Sequence, residues 1–350
     1  MYRQNFTKDF STLGSRIDAY ISRYAGNLLL DRAIQVSQES NRYFTAYMQR
    51  EALRAISCGY LKEELLSAWL SPYTGEITER EQWVGVIMAG NIPLVGFYDF
   101  LSVLGAGYKA MVKLSSKDYS LLPALVNILT EINRYWRGRV EFVQDLPDSV
   151  SMVIAAGHDE TMAAVRRRYA HIPALLRGGR SSVAVIRGDE TDDNLRGLAR
   201  DVFLYFGLGC RSVSALLVPE GYDFGKMSRL FSEMREVVDT DDFRSVYRYQ
   251  RVQSLMDKRW FIDGGFFLLR EEDRLPPPVS VIGVHFYKDI PAVDNCIDKW
   301  ESLLQCVVNY PFRGSFTQFG HSQRPGIEEY PDGVDNIAFI LRNHQPDFFY

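Results

Sequence analysis

WVGVIMAGNIP, residues 83–93, decides the fold class. From Trp83 to Ala89 the run is short, apolar save for Gly85, and rich in the β-branched residues Val84, Val86 and Ile87, which is how a strand buried on both faces reads. It stops at Gly90, Asn91 and Pro93. Outward from it, a helix is expected over roughly 93–104, and LGAGYK then leads into AMVKL (110–114), a second buried strand. VEFVQD (140–145), MVIAAG (152–157), SVAVI (182–186) and SVSALLV (212–218) continue the series. Between them, Leu121, Leu122, Leu125, Ile128, Leu129 and Ile132 repeat at helical spacing and predict a helix over about 119–135, capped by Ser116 or Asp118; residues 159–169 supply another. Short buried strands alternating with helices predict βαβ units, a mostly parallel sheet and an α/β fold class.

The first eighty residues read as helical, with Ile17, Tyr20, Ile21 and Tyr24 on one face and Leu53, Ile56, Tyr60, Leu61 and Leu65 on another, and SPYTG (71–75) as the breaker. Further on, Thr191 with Asp192 and Asp193 opens a helix whose Leu195, Leu198, Val202, Phe203 and Phe206 share a face before Gly207 ends it. PPP at 276–278 is a break, followed by a strand (279–287) and a helix around 291–304.

With 350 residues, 46% of them hydrophobic, the chain is globular and long enough to expect two domains. A net charge of -4 gives no basic field for nucleic-acid backbones, so nucleic acid is disfavoured as a partner. No apolar run approaches the ~18 residues that a bilayer span requires, and MYRQNFTKDF has no signal-type apolar core, so a cytoplasmic protein is expected. Cys58, Cys210, Cys296 and Cys306 form no CxxC pair and the five histidines, His158 and His321 among them, are scattered, so neither a metal site nor a disulfide framework is expected.

Cys210 lies in FGLGCRS, between a helix end and a strand start, with glycines at 207 and 209 that permit positive φ and close approach of a substrate. That suits a nucleophile, and Arg211 beside it would lower the thiol pKa if its side chain turned that way. A small buried cysteine in a tight turn is the competing account and, on the residues alone, the commoner one. Asn91 sits where open α/β sheets bind ligands, after the carboxyl end of a strand, although Asn-x-Pro is also ordinary turn chemistry. Lys113, followed by Ser115, Ser116 and Lys117, ends a strand with groups that suit a ribose or a phosphate. LGAG (104–107) and RGGRS (177–181) are glycine loops without the GxGxxG fingerprint. Arg166, Arg167 and Arg168 stand where a helix dipole favours cations, with nucleotide phosphates as the sharper alternative.

Together these segments resemble the aldehyde dehydrogenase superfamily, and within it the acyl-CoA reductases, the fatty acid reductases of bacterial luciferase systems. VGVIMAGNIP resembles the strand and N-x-P turn bearing the family's asparagine; LGAGYKAMVKLSS its G-N-x-V-x-x-K-P-S cofactor stretch; VIAAGHDETM its T-G-S segment. RGGRSSVAVI resembles L-G-G-K-S-P-x-x-V, FGLGCRSVSALLVP the G-Q-x-C catalytic loop, and FGHSQRPGIEEYPDGVDN the end of the acyl-CoA reductases. The resemblance implies a Rossmann-type parallel-sheet cofactor domain with N-terminal helices (15–177), a second α/β catalytic domain (178–312) and a closing segment (313–350). It implies reduction of a fatty acyl-CoA to an aldehyde through a thioester on Cys210, with Asn91 at the oxyanion. Lys113, Ser115, Gly107 and Gly157 would bind the cofactor, NADPH by preference with NADH as the alternative. A homo-oligomer is expected, and a partner enzyme delivering the acyl group is left open.

Departures from the family pattern sharpen this. Where aldehyde-oxidising members carry the Glu that activates water, this chain has Leu176, which points to a thioester substrate. The Glu that holds the nicotinamide ribose falls near Arg274, with Glu271, Glu272 or Asp273 as substitutes, and the Pro after the cofactor Lys is Leu114. Reduction of an acyl phosphate, and a non-catalytic relative that binds acyl-CoA or a partner, are the rival readings.

Overall fold

The computed structural model describes residues 2–22 and 26–344; the expected position of Tyr24 on a helical face lies outside them. The chain forms two compact units, the first made of residues up to Gly178 together with those from Pro325 onward, the second of Gly179–Arg324.

In the first unit, helices α1 (Tyr2–Ile21), α2 (Leu28–Ser40), α3 (Ala46–Gly59) and α4 (Glu63–Leu70) precede the sheet. Phe6, Phe10, Leu13 and Ile17 recur at helical spacing along α1 and are fully buried, packing into one core with the sheet. The strands are β1 (Trp83–Ile87), β2 (Lys109–Lys113), β3 (Val140–Phe142), β4 (Met152–Ala156) and β5 (Ala174–Arg177), joined through α5 (Phe97–Gly105), α6 (Leu121–Ile132) and α7 (Asp159–Arg168). Their order is β3-β2-β1-β4-β5 and every pairing is parallel, as the continuous apolar runs predict. The order reverses between β1 and β4, the topological switch point at which such sheets open a crevice.

Two boundaries differ from the sequence reading for one reason. Asp118, expected to cap the helix after it, is buried and accepts a hydrogen bond from Leu94 N at 2.8 Å. It holds the turn after β1, in which Leu94 takes φ +58°, so α5 begins only at Phe97. Burial pushes the Asp118 pKa up to about 6. Helix α6 begins at Leu121 with no side-chain cap, since the Ser120 hydroxyl donates to Ala33 O instead, at 2.8 Å. A long-range partner has displaced the local cap in each case.

The second unit carries β6 (Ser181–Val185), β7 (Val213–Pro219), β8 (Phe261–Asp263), β9 (Leu268–Glu271), β10 (Val281–Tyr287) and β11 (Leu304–Val308) in the order β11-β6-β7-β10-β9-β8. All pairs are parallel except β8 with β9. Helices α8 (Asp192–Phe203), α9 (Gly225–Phe231), α10 (Asp241–Met256) and α11 (Ile290–Trp300) accompany it. Thr191 caps α8 as expected, accepting from Asn194 N at 3.1 Å. Among the described residues no helix is long and apolar enough to cross a membrane.

The first unit closes with α12 (Asn336–Arg342). Arg177, the last residue of β5, donates to Asp99 Oδ1 of α5 at 2.6 Å and also to the Asn336 side chain, while Asn336 Nδ2 donates to the same Asp99 oxygen at 2.8 Å. All three residues are buried. Removing one partner leaves an uncompensated charge, so Asp99→Ala is expected to cost about 3–5 kcal/mol of unfolding free energy, read by urea titration. A loss under about 1 kcal/mol would mean that the cluster contributes no more than a typical hydrogen bond.

Candidate functional site

In the first unit the ends of β1, β2 and β4 stand level, with Ile87 paired to Lys113 on one side and to Ala155 on the other. The turn bearing Asn91 follows β1, Lys113 and Ser115 end β2, and Gly157 follows β4, so these four expected residues collect at the carboxyl edge on either side of the switch point. A Cβ on Gly90 would overlap the Ser115 hydroxyl, which brings the Asn91 turn against the Ser115 loop. Asn91 itself is half-buried. Lys113 Nζ lies 3.1 Å from Asp145 Oδ1, and Arg168 pairs with the other Asp145 oxygen at 2.5 Å. The two cations hold the Asp145 carboxyl below its usual range, Arg168 contributing most. Arg168 therefore has a carboxylate partner, while Arg166 and Arg167 are exposed.

Gly107, expected among the cofactor-binding residues, belongs elsewhere. It precedes Lys109, the first residue of β2, and so stands at the amino edge, with the whole strand between it and Lys113. Its φ of +93° and the overlap that any Cβ would make with Thr78 O explain the glycine without a ligand. Its carbonyl is also engaged, accepting from Arg80 N at 2.9 Å and from Arg139 Nη2 at 2.7 Å.

In the second unit Cys58's three counterparts separate cleanly. Cys296 lies in α11 and Cys306 in β11, as Cys58 lies in α3, whereas Cys210 occupies the loop before β7. The approach to it is strained. Tyr205 and Phe206 both take left-handed backbone angles, φ +58° and +57°, ahead of Gly207 at +72°, and for the two aromatic residues this costs roughly 1–2 kcal/mol each. Residues 209–212 then close a turn: Ser212 N donates to Gly209 O at 3.0 Å, and Gly209 N to Ser212 Oγ at 3.1 Å. From β6, Ser182 Oγ donates to Cys210 O at 3.0 Å. Arg211 turns its Nε to Ser322 O at 2.6 Å, so that nitrogen is committed to a backbone carbonyl.

β6, β7 and β10 are adjacent in this sheet, and the segments entering their amino ends are RGGRS, FGLGC and PPPVS. A cavity of about 160 Å³ lies among them, lined by Phe203, Phe206, Phe243, Pro277 and Ile282, by residues 207–209, and by the polar Arg180, Ser181, Ser214 and Ser280. The apolar walls begin one residue from Cys210. Of the carboxylates expected to replace the family's ribose-binding Glu, Glu272 is paired with Arg270 at 2.5 Å and Arg259 at 3.3 Å. Leu176 is half-buried in β5 and packs with apolar neighbours in the first unit's second core cluster. The sequence reading missed Ser182, Ser212 and Asp145, whose only signal was a polar residue at or near a strand end.

A family model described as acyl-CoA reductase (LuxC) matches residues 22–237. The long-chain acyl-protein thioester reductase of Aliivibrio fischeri is 26% identical over 324 residues, taking in 80% of this chain and 64% of that protein, so the chain spans less than two thirds of that relative. Among solved structures, an NAD-dependent aldehyde dehydrogenase from Sinorhizobium meliloti superposes with a TM-score of 0.63 at 13% identity, over 93% of this chain and 81% of its own. Aldehyde dehydrogenase 21 of Physcomitrella patens, in complex with succinate, gives 0.62 at 10% identity, over 87% and 77%. A mutant of aldehyde dehydrogenase C from Pseudomonas syringae, in complex with NAD+ and octanal, gives 0.58 at 11% identity, over 93% and 83%. At such identities these likenesses establish an aldehyde dehydrogenase-like fold.

Gly107→Ala separates structure from binding. It is expected to lower unfolding free energy by at least about 1–2 kcal/mol while the affinity for nicotinamide nucleotide stays within twofold, since the strain arises at the far edge of β2. Unchanged stability in denaturant would show that the Thr78 contact relaxes freely.

Proposed function

The chain belongs to the acyl-CoA reductase (LuxC) family, and from that membership we propose that it reduces a fatty acyl thioester to an aldehyde with a nicotinamide cofactor. The observation that carries the reading is the placement of Cys210, on a tightly hydrogen-bonded turn at the amino edge of the second sheet, beside a cavity with aromatic and aliphatic walls. Its thiolate attacks the thioester carbonyl, the new C–S bond forms, and the carrier thiolate leaves. The Cys210 backbone N–H and the Asn91 amide are assigned to the developing oxyanion, the latter on the strength of its N-x-P turn. Collapse of the reduced adduct releases aldehyde and returns the Cys210 thiolate. The aromatic walls around Phe206 exclude water and accommodate methylene groups.

The carboxyl edge of the first sheet suits a nucleotide. It offers the Lys113 ammonium, paired with Asp145, and the Ser115 hydroxyl on the loop that packs against the Asn91 turn. Lys113 and Ser115 would hold the adenosine ribose or its phosphate, and a nicotinamide bound there would supply hydride for the acyl carbon. NADPH is preferred to NADH, with the Lys113 ammonium exchanging Asp145 for the added phosphate. With leucine at 176, no carboxylate stands ready there to activate water, so the acyl-enzyme waits for hydride or for a thiol.

The carrier is assigned as coenzyme A. The Aliivibrio fischeri relative favours a second reading, in which the acyl group arrives as a thioester on a protein.

Mixing the protein with palmitoyl-CoA, without cofactor, should leave a hydroxylamine-sensitive acyl mass on the peptide containing Cys210, and Cys210→Ala should lose both label and turnover. Labelling of Cys58, Cys296 or Cys306 with Cys210→Ala still active would sink the assignment. Asn91→Ala should slow acylation by about 10²–10³ with little change in cofactor affinity; a change under threefold leaves Asn91 only its turn. In the reverse direction, aldehyde plus oxidised cofactor should give little free acid, and added coenzyme A should stimulate cofactor reduction. Rapid acid formation without coenzyme A would show that another residue activates water.

A further inference from the structure

Cys210 sits between backbone of low intrinsic order, with glycines at 207 and 209, yet the turn that carries it is gripped from a distant part of the chain. Gln323 Nε2 donates to Ser212 Oγ at 2.9 Å, and Ser212 Oγ in turn accepts the Gly209 N–H at 3.1 Å. Ser322 O receives Arg211 Nε at 2.6 Å. Residues 322 and 323 thus hold the two residues that follow the cysteine and, through Ser212, the one that precedes it.

The gripping segment is itself fixed to α8. Asp201 accepts from Gly320 N at 2.6 Å through one carboxylate oxygen, and from Ser322 N at 3.0 Å and Ser322 Oγ at 2.8 Å through the other. Asp201, Ser212, Ser322 and Gln323 are all buried. The segment also lies directly on the helix backbone: a Cβ on Gly197 would come within 2.9 Å of the Phe319 carbonyl carbon, and one on Gly320, at φ +81°, within 3.1 Å of Gly197 Cα. Two glycines facing one another make the approach close enough for a short carboxylate to reach two amides. Ser182 Oγ holds the Cys210 carbonyl from the side of the sheet.

We propose that Gly320–Gln323 is a clamp that orients the Cys210 turn, with Gln323 and Asp201 as positioning residues for the nucleophile. Neither touches the reacting atoms; both act through Ser212, Arg211 and Ser322. A loop flanked by glycines gains the fixed attack geometry that acyl transfer needs because hydrogen bonds over one hundred positions away in sequence remove its freedom. The catalytic part of this inference rests on Cys210 being the nucleophile, whereas the ordering of the turn does not.

The experiment uses Gln323→Met, which keeps volume and removes the donor, and Asp201→Asn, which keeps shape and removes the charge. Hydrogen exchange of the peptide spanning residues 207–212 is read by mass spectrometry in the full-length protein, alongside the rate at which palmitoyl-CoA acylates Cys210. Losing one buried hydrogen bond should speed local exchange by about fivefold or more, with peptides from β10 unchanged. The acylation rate should fall about tenfold or more with the half-saturating palmitoyl-CoA concentration held within twofold. A residue that merely supports the fold would lower the melting temperature and leave the acylation rate of the folded protein unchanged. Unaltered exchange at 207–212 in both variants overturns the clamp, and so does faster exchange accompanied by an unchanged acylation rate. Wild-type protein that shows no acylation at Cys210 defeats the proposed function, and the exchange result then decides the ordering of the turn by itself.

Discussion

A guanidinium buried at the end of a strand governs how the first unit is closed. Arg177 finishes β5, and its charge is tolerable in the interior only because Asp99 from α5 and Asn336 from α12 surround it. Asp99 comes from the middle of the unit's first segment, Arg177 from its end and Asn336 from the segment that returns after the second unit. The requirement that the charge be satisfied therefore fixes where α12 returns, and the glycine pair that follows Arg177 carries the chain into the second unit from a rigid origin. Hydrophobic burial holds the layers together, but it is non-directional; the ion pair and its amide partner supply direction.

The same contrast between local and distant partners decides what was legible in the sequence. The parallel strands were readable because burial on both faces writes them as unbroken apolar runs, and VGVIM and SVAVI lie within one or two residues of β1 and β6. The capping of α8 was readable because Thr191 and Asn194 are three residues apart. Asp118 was misread as a helix cap because its actual partner, Leu94 N, lies 24 residues upstream, beyond α5 and β2. Gly107 was misread because a glycine loop looks alike at either end of a strand, and only the strand's direction tells the ligand edge from the other. Tyr205 and Phe206 carried no signal at all, since nothing in an aromatic pair announces left-handed backbone.

The candidate groups lie at opposite edges of the two sheets. In the first, the polar groups gather where strands end, and short loops there turn into helices. In the second, Cys210 stands where strands begin, so its turn feeds directly into β7, whose residues 213 and 215–218 are fully buried. A side chain carried at the root of a buried strand inherits that strand's rigidity on one side only. Its other side leans on the left-handed stretch at 205–207, where the backbone stores strain.

Interruption of the first unit by the second has a consequence for biosynthesis. On a ribosome the first sheet and its helices emerge early, with Arg177 able to find Asp99, but Asn336 follows only after the whole of Gly179–Arg324 has been made. The nascent first unit must wait, holding a charged group with one of its two partners and an apolar face intended for Ile337 and Ile340. During that interval it presents the kind of exposed surface that chaperones bind, and the vectorial order of synthesis makes α12 the last of the first unit's described helices to become available for packing.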